Sequence, residues 1–80
     1  MDYFKGNKYQ SIHENIPYIA SKVYNILFKA KKFENILDDY INIHKMSKSI
    51  NIERNVKMAI TFLYSIGKVD YDGNIIKRVE

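Results

Sequence analysis

The sequence predicts a mainly α domain with a small C-terminal β-hairpin, the winged-helix arrangement of three helices plus a wing. Three observations carry this. Residues 50–66 show the apolar spacing of a helix, Gly67 stands directly behind them, and Lys68-Val69-Asp70-Tyr71-Asp72-Gly73-Asn74-Ile75-Ile76-Lys77 reads as two short strands around Asp-Gly-Asn. A helix stopped by glycine and followed at once by a hairpin is how a winged helix ends.

The hairpin has a mechanism. A type I′ turn needs positive φ at both central residues, which Asp, Asn and Gly tolerate. Either Asp72-Gly73 or Gly73-Asn74 supplies the pair. The second choice puts Val69, Tyr71 and Ile76 on one face and sets Asp70 opposite Lys77. A one-residue slip swaps the faces, so the sequence leaves both registers open.

The remaining elements follow in chain order. Residues 1–15 mix Tyr3, Phe4, Tyr9 and Ile12 with Lys5, Gly6, Asn7 and Lys8 and lack a clear period. They read as an arm preceding a domain of residues 16–80. A frayed terminus is the simpler reading for residues 1–8, although aromatics in a short tail call for something to pack against. Helix one is expected from residue 16 or 17 to residue 31, with Ile16, Ile19, Ala20, Val23, Ile26, Leu27 and Ala30 at helical spacing. Pro17 suits its first turn. Lys29, Lys31 and Lys32 then fall at its C-terminal end, where the helix dipole favours cations and explains the cluster without nucleic acid.

Phe33 either forms a short connecting strand or plugs the core. Helix two follows with Asn35 as its expected N-cap. Leu37, Tyr40, Ile41 and His44 share its inner side, and Asp38, Asp39 and Asn42 face away. Residues 45–49 form a polar connection. Asn51 is the expected N-cap of helix three, whose buried stripe is Ile52, Val56, Ala59, Ile60, Leu63 and Ile66.

Size and composition bound the function. Eighty residues make one domain near the lower limit for a self-sufficient core. Without cysteine there is neither a disulfide nor a thiolate metal site, which is compatible with a reducing, cytoplasmic home. Met1-Asp2-Tyr3-Phe4-Lys5 lacks the apolar run of a signal peptide, and no stretch approaches a membrane span. The net charge of +4 suits weak attraction to phosphate or to an acidic protein. Lysine supplies eleven of the thirteen basic residues, and Ile and Asn are also abundant, a bias that an AT-rich genome produces by itself.

Catalysis is not expected. The chain has no Gly-rich phosphate loop, no His-rich metal spacing and no nucleophile beside a base. His13 lies in the arm and His44 ends helix two, where a lone histidine is far more often a cap or a partly buried polar group than a catalytic base. Asp38 and Asp39 point roughly 100° apart on a helix and do not converge. No cofactor is expected either.

Two binding readings remain. For duplex DNA, helix three would enter the major groove and the wing would touch the backbone. Glu53, Arg54, Lys57, Met58, Thr61, Tyr64 and Ser65 occupy its outward face. Arg54 and Lys57, with Lys29, Lys31 and Lys32, are the candidate nucleic-acid contacts. Against this, Glu53 shares the face and Asp70 and Asp72 crowd the wing tip, where carboxylates repel phosphate. A solvated mixed-charge face accounts for it equally well. For protein docking, Met58, Tyr64 and Tyr71, with Tyr3, Phe4 and Tyr9 of the arm, are the candidate anchors, of the type enriched at interface centres. Phe62 is expected to pack inside the domain against helix one. Seven tyrosines in eighty residues tilt the balance towards a surface buried in an assembly.

The run Ala59-Ile60-Thr61-Phe62-Leu63-Tyr64-Ser65-Ile66-Gly67-Lys68-Val69-Asp70-Tyr71, closed by Ile75-Ile76-Lys77, resembles the C-terminal signature of small bacterial middle-component proteins. These belong to ABC-three-component systems, the group that includes Lamassu-type anti-phage defence. The opening is similar too, with Asn7-Lys8-Tyr9 leading through Ser11 and Ile12 to Ile19-Ala20. The resemblance implies a non-catalytic subunit bridging an SMC-like ABC ATPase and an effector such as a nuclease. It carries over no active-site residue, and the ATP-binding motifs would lie in the partner. Winged-helix subunits of SMC complexes join ATPase heads or coiled coils, a fold-level analogy that favours docking. The alternative is a small winged-helix transcription regulator acting as a dimer on operator DNA.

Overall fold

The computed structural model describes residues 15–79, and the order of its elements is that of a winged helix. Helix α1 (Ile16–Ile26) leads to strand β1 (Lys31–Lys32), helix α2 (Phe33–His44), helix α3 (Ile50–Ser65) and strands β2 (Val69–Asp72) and β3 (Ile75–Arg78). The strands form one antiparallel sheet in the order β1-β3-β2. Among the described residues, no helix is long and apolar enough to cross a membrane. The arm proper, with Tyr3, Phe4 and Tyr9, lies outside the described residues.

Helix α1 begins as its sequence indicates. Asn15 caps it by accepting a hydrogen bond from the Tyr18 N–H at 3.1 Å, and Pro17 sits in the first turn. It ends five residues earlier than the expected residue 31. The reason is tertiary: Lys31 pairs with Ile76 and Lys32 with Ile75, so β3 takes the backbone that the helix would have used. Ala30 is therefore exposed rather than in the core, and Lys29, Lys31 and Lys32 are not cations on a helix dipole.

Helix α2 starts at Phe33, with Lys32 at the N-cap and Asn35 inside the first turn, so the expected Asn35 cap is displaced by two residues beyond the helix start. Phe33 is helical and partly buried against the core. Ile36, Leu37 and Tyr40 are buried, Ile41 packs against them, and Asp39, its side chain 41% exposed, pairs with Lys31. Lys45 ends the helix in the left-handed region at φ 54°, and the Met46 N–H bonds back to the Ile41 carbonyl at 3.0 Å.

Helix α3 is capped by Ser49, whose Oγ accepts from the Ile52 N–H at 3.2 Å, and not by Asn51, which lies within the helix. Both residue types cap well, but only Ser49 has the extended backbone that a cap requires (φ −149°, ψ 163°). Ser49→Ala should lower stability by about 1 kcal/mol in urea unfolding, whereas Asn51→Ala should stay within about 0.5 kcal/mol. Equal losses would contradict this cap. At the other end, the Lys68 N–H reaches the Leu63 carbonyl at 2.8 Å and the Gly67 N–H the Tyr64 carbonyl at 3.0 Å. This is a Schellman motif, and Gly67 at φ +77° is the residue that permits it.

The hairpin adopts the Gly73-Asn74 register. Asp72 pairs with Ile75, Tyr71 with Ile76 and Asp70 with Lys77. Only Gly73 has positive φ (64°), so the turn follows the II′ pattern rather than I′. Val69 and Ile76 enter the core on the inner face. Arg78 anchors the end of β3 to α1, its Nε and Nη2 donating to the Tyr24 carbonyl at 2.9 and 2.6 Å with the guanidinium 4.3 Å from the Tyr24 ring centroid.

The core sits where the three helices meet the inner face of the sheet. Ile19, Val23, Leu27, Ile36, Tyr40, Val56 and Val69 are its most enclosed large side chains, and no buried residue among those described is polar or charged apart from the Tyr40 hydroxyl. Ile66, expected in the buried stripe, is 51% exposed because the helix has already ended. Tyr40 packs its ring on His44 (centroids 4.4 Å apart), and burial, followed by the neighbouring Tyr18 phenol, pushes its hydroxyl up to about 12 from an ordinary 10. The folded state therefore keeps a proton that the unfolded chain releases. Stability is fully present below about pH 10 and should fall between about pH 10 and 12, by roughly 2–3 kcal/mol. Comparing urea midpoints of wild type and Tyr40→Phe across that window checks this, because the variant should lack that component of the decline.

Candidate functional site

The C-terminal half of α3 and the inner face of β2 bring two of the proposed anchors together. Tyr64 and Tyr71 stack at 5.1 Å between ring centroids with planes tilted by 48°, yet they remain 51% and 45% exposed. The contact depends on the hairpin register. Tyr71 shares the inner face with Val69 and Ile76, and that face turns it towards α3. A tilted aromatic pair is worth about 0.5–1.5 kcal/mol, enough to hold both rings in place without burying them.

Beside the pair runs a shallow groove of about 300 Å³ between α3, the start of α2 and the wing, lined by Phe33, Lys57, Ile60, Thr61, Tyr71 and Ile76. Its floor is apolar. Lys57 lies over the Phe33 ring, 5.6 Å from the centroid, and 4.0 Å from the Glu53 carboxylate, so its charge is partly balanced at the rim. The Thr61 hydroxyl is turned back onto the Lys57 carbonyl at 3.0 Å. The edge strand β2 is blunted, because the Tyr71 N–H is taken by the carboxylate of Asp70 at 2.9 Å. What this face offers is aromatic side chains rather than free strand hydrogen bonds.

Met58, the third described anchor, does not join the tyrosines. It is 44% exposed and stands four residues before Phe62 on another row of α3. Phe62 is 37% exposed and borders α1 beside Pro17, Ala20 and Tyr24, so it is only partly enclosed by the helix expected to bury it. Phe33 was not singled out as a surface residue. Its place beside Tyr71 follows from α2 beginning two residues before its expected cap.

The candidate nucleic-acid contacts are dispersed. Lys29 is exposed in the turn after α1. Lys31 points inward, its ammonium 2.6 Å from Asp39 with the side chain only 12% exposed, and lies 4.6 Å from the Phe28 ring centroid. Lys32 alternates to the outer face of the sheet, the face of Asp70, Asp72 and Lys77. Arg54 is exposed on α3 and bonded to Asn51 at 2.9 Å. These cations do not form one stripe along α3 and the wing. Among the described residues, no cluster of three or more His, Asp or Glu has the arrangement to hold a metal ion.

Across all 80 of its residues the chain is 38% identical to the protein named "Uncharacterized protein YydC" of Bacillus subtilis (strain 168), and it spans 61% of that relative's length. No family model matches the chain, and no solved structure matches it.

Proposed function

We propose that this chain is a non-catalytic winged-helix subunit that docks onto a protein partner through the face built from Phe33, Thr61, Tyr64 and Tyr71. The observation that carries this reading is the stacked, half-exposed Tyr64–Tyr71 pair beside an apolar groove. Tyrosines held rigid by a neighbour lose little conformational entropy when a partner covers them. The resemblance of residues 59–77 to middle components of ABC-three-component systems supports an SMC-like ABC ATPase as that partner, with an effector subunit beyond it in an anti-phage defence complex. The mechanism is positional: the domain holds two larger proteins in register.

Purifying the tagged chain from its native cells and identifying what accompanies it tests this reading. Recovery with a large ABC-type ATPase supports the subunit role. Recovery alone, as a monomer or dimer, contradicts it.

The second reading, a DNA-binding regulator, rests on the exposed Arg54 and Lys57 of α3. It expects Arg54→Ala with Lys57→Ala to abolish duplex binding and to flatten its salt dependence in fluorescence anisotropy. The dispersed lysines and the acidic wing, Asp70 and Asp72, weigh against it. We expect wild type to bind duplex DNA only weakly, with these two substitutions changing that little.

A further inference from the structure

The opposite flank of α3 carries a second surface. Met58 and Phe62 stand four residues apart on one row of α3, Ile66 at its C-cap follows after four more, and the three are 44%, 37% and 51% exposed. Across a groove of about 380 Å³ Phe62 and Ile66 face Pro17, Ala20, Ser21 and Tyr24 of α1, and Met58 lies one turn of α3 before the groove. Ala20 and Ser21 are small, which leaves room for another backbone to approach. Phe62 and Tyr64 are two residues apart and point to nearly opposite sides of α3, so this surface is distinct from the tyrosine pair.

The charges around it have one sign. Arg54 continues the row one turn before Met58, and Lys68 lines the groove beyond Ile66. Among the described residues no carboxylate lines the groove, and the acidic ones lie on α2, at Glu53 on the far side of α3 and on β2. From Arg54 to Ile66 the row spans roughly 18 Å at the rise of a helix.

We propose that the α3 row from Arg54 to Ile66, with the α1–α3 groove beside its C-terminal end, binds an acidic amphipathic helix of a partner protein, its apolar stripe on Met58, Phe62 and Ile66 and its carboxylates on Arg54 at one end and Lys68 at the other. Helix-in-groove recognition requires this combination of an apolar track with anchors one turn apart and flanking charge of opposite sign. The surface is independent of the tyrosine face, and a domain with both can hold two proteins at once.

The test is an NMR titration of the full isotope-labelled chain with a synthetic helical peptide of about 16 residues, long enough to cover the row. Its apolar face is leucine and its polar face glutamate; a matched peptide carries lysine instead. Resonances of Ser21, Asn25, Phe62, Ile66 and Lys68 should shift with the glutamate peptide and not with the lysine peptide. Arg54→Glu combined with Lys68→Glu should weaken the glutamate peptide roughly tenfold and admit the lysine peptide. Preserved chemical-shift dispersion establishes that the variant is folded. Equal response to both peptides, shifts confined to Phe33, Thr61 and Tyr71, or no shift up to millimolar peptide would overturn the proposal. Concentration-dependent shifts at the groove without peptide would also overturn it, since the occupant would then be a second copy. The same is true if duplex DNA moves these resonances while the peptide does not.

Discussion

Alanine at both Tyr64 and Tyr71 is expected to abolish partner recovery while leaving the domain folded. The two rings are half-exposed and stack on each other, so truncation removes one aromatic contact worth about 0.5–1.5 kcal/mol and opens no interior cavity. Their loss from an interface is far more costly. Aromatic anchors at an interface centre contribute about 2 kcal/mol or more each, and each 1.4 kcal/mol is roughly tenfold in affinity, so the pair lowers affinity by hundreds-fold. Circular dichroism should remain helical and the urea midpoint should move little. Lys77→Ala, on the outer face of the wing, should leave recovery unchanged. Wild-type assembly by the double variant would remove the tyrosine face from the account.

The second large effect concerns stability. Ile36 has no exposed surface and meets the core from the first turn of α2, whereas Ile43 on the same helix is 61% exposed. Ile36→Ala should therefore cost about 2–5 kcal/mol. Stability scales at roughly 0.05–0.15 kcal/mol per residue, which for a chain of this length is on the order of 4–12 kcal/mol. The substitution thus takes a large part of the total and should shift the urea midpoint strongly, or unfold the chain outright. Ile43→Ala should change it by less than about 0.5 kcal/mol. Similar costs at both positions would mean that α2 does not present the face described.

These two cases mark what the sequence discloses and what it hides. Helix α3 and the hairpin were legible because their signals are local: apolar periodicity, Gly67 at the required left-handed position, and a two-residue turn that needs Gly73. The fold class followed from them. The end of α1 was not legible, because Lys31 and Lys32 are drawn into the sheet by residues more than forty positions away. With β1 occupying Lys31 and Lys32, α2 starts at Phe33, two residues before the cap that Asn35 suggests.

The candidate site was legible in its parts but not in its assembly. Tyr64 and Tyr71 stood out individually as aromatics beyond the needs of the core, but their contact required the register that only the folded hairpin selects. Phe33 joins them for a reason set by the sheet. The row of Met58, Phe62 and Ile66 is visible as a spacing of four, but periodicity alone assigns Phe62 and Ile66 to the core because it does not tell a buried stripe from a bare one. Among the lysines, charge was readable and direction was not: Lys31 faces Asp39 and Lys32 faces outward because strand residues alternate.

Under the proposed function the tyrosine face, rather than a basic helix face, meets the partner. Hydrogen exchange of the co-purified complex, compared with the free chain, tests this most directly. New protection is expected over the last turns of α3 from Thr61 and over Tyr71–Asp72 of the wing. Protection confined to residues 29–32 and to the turn around Arg54, or an unchanged exchange pattern, would contradict it.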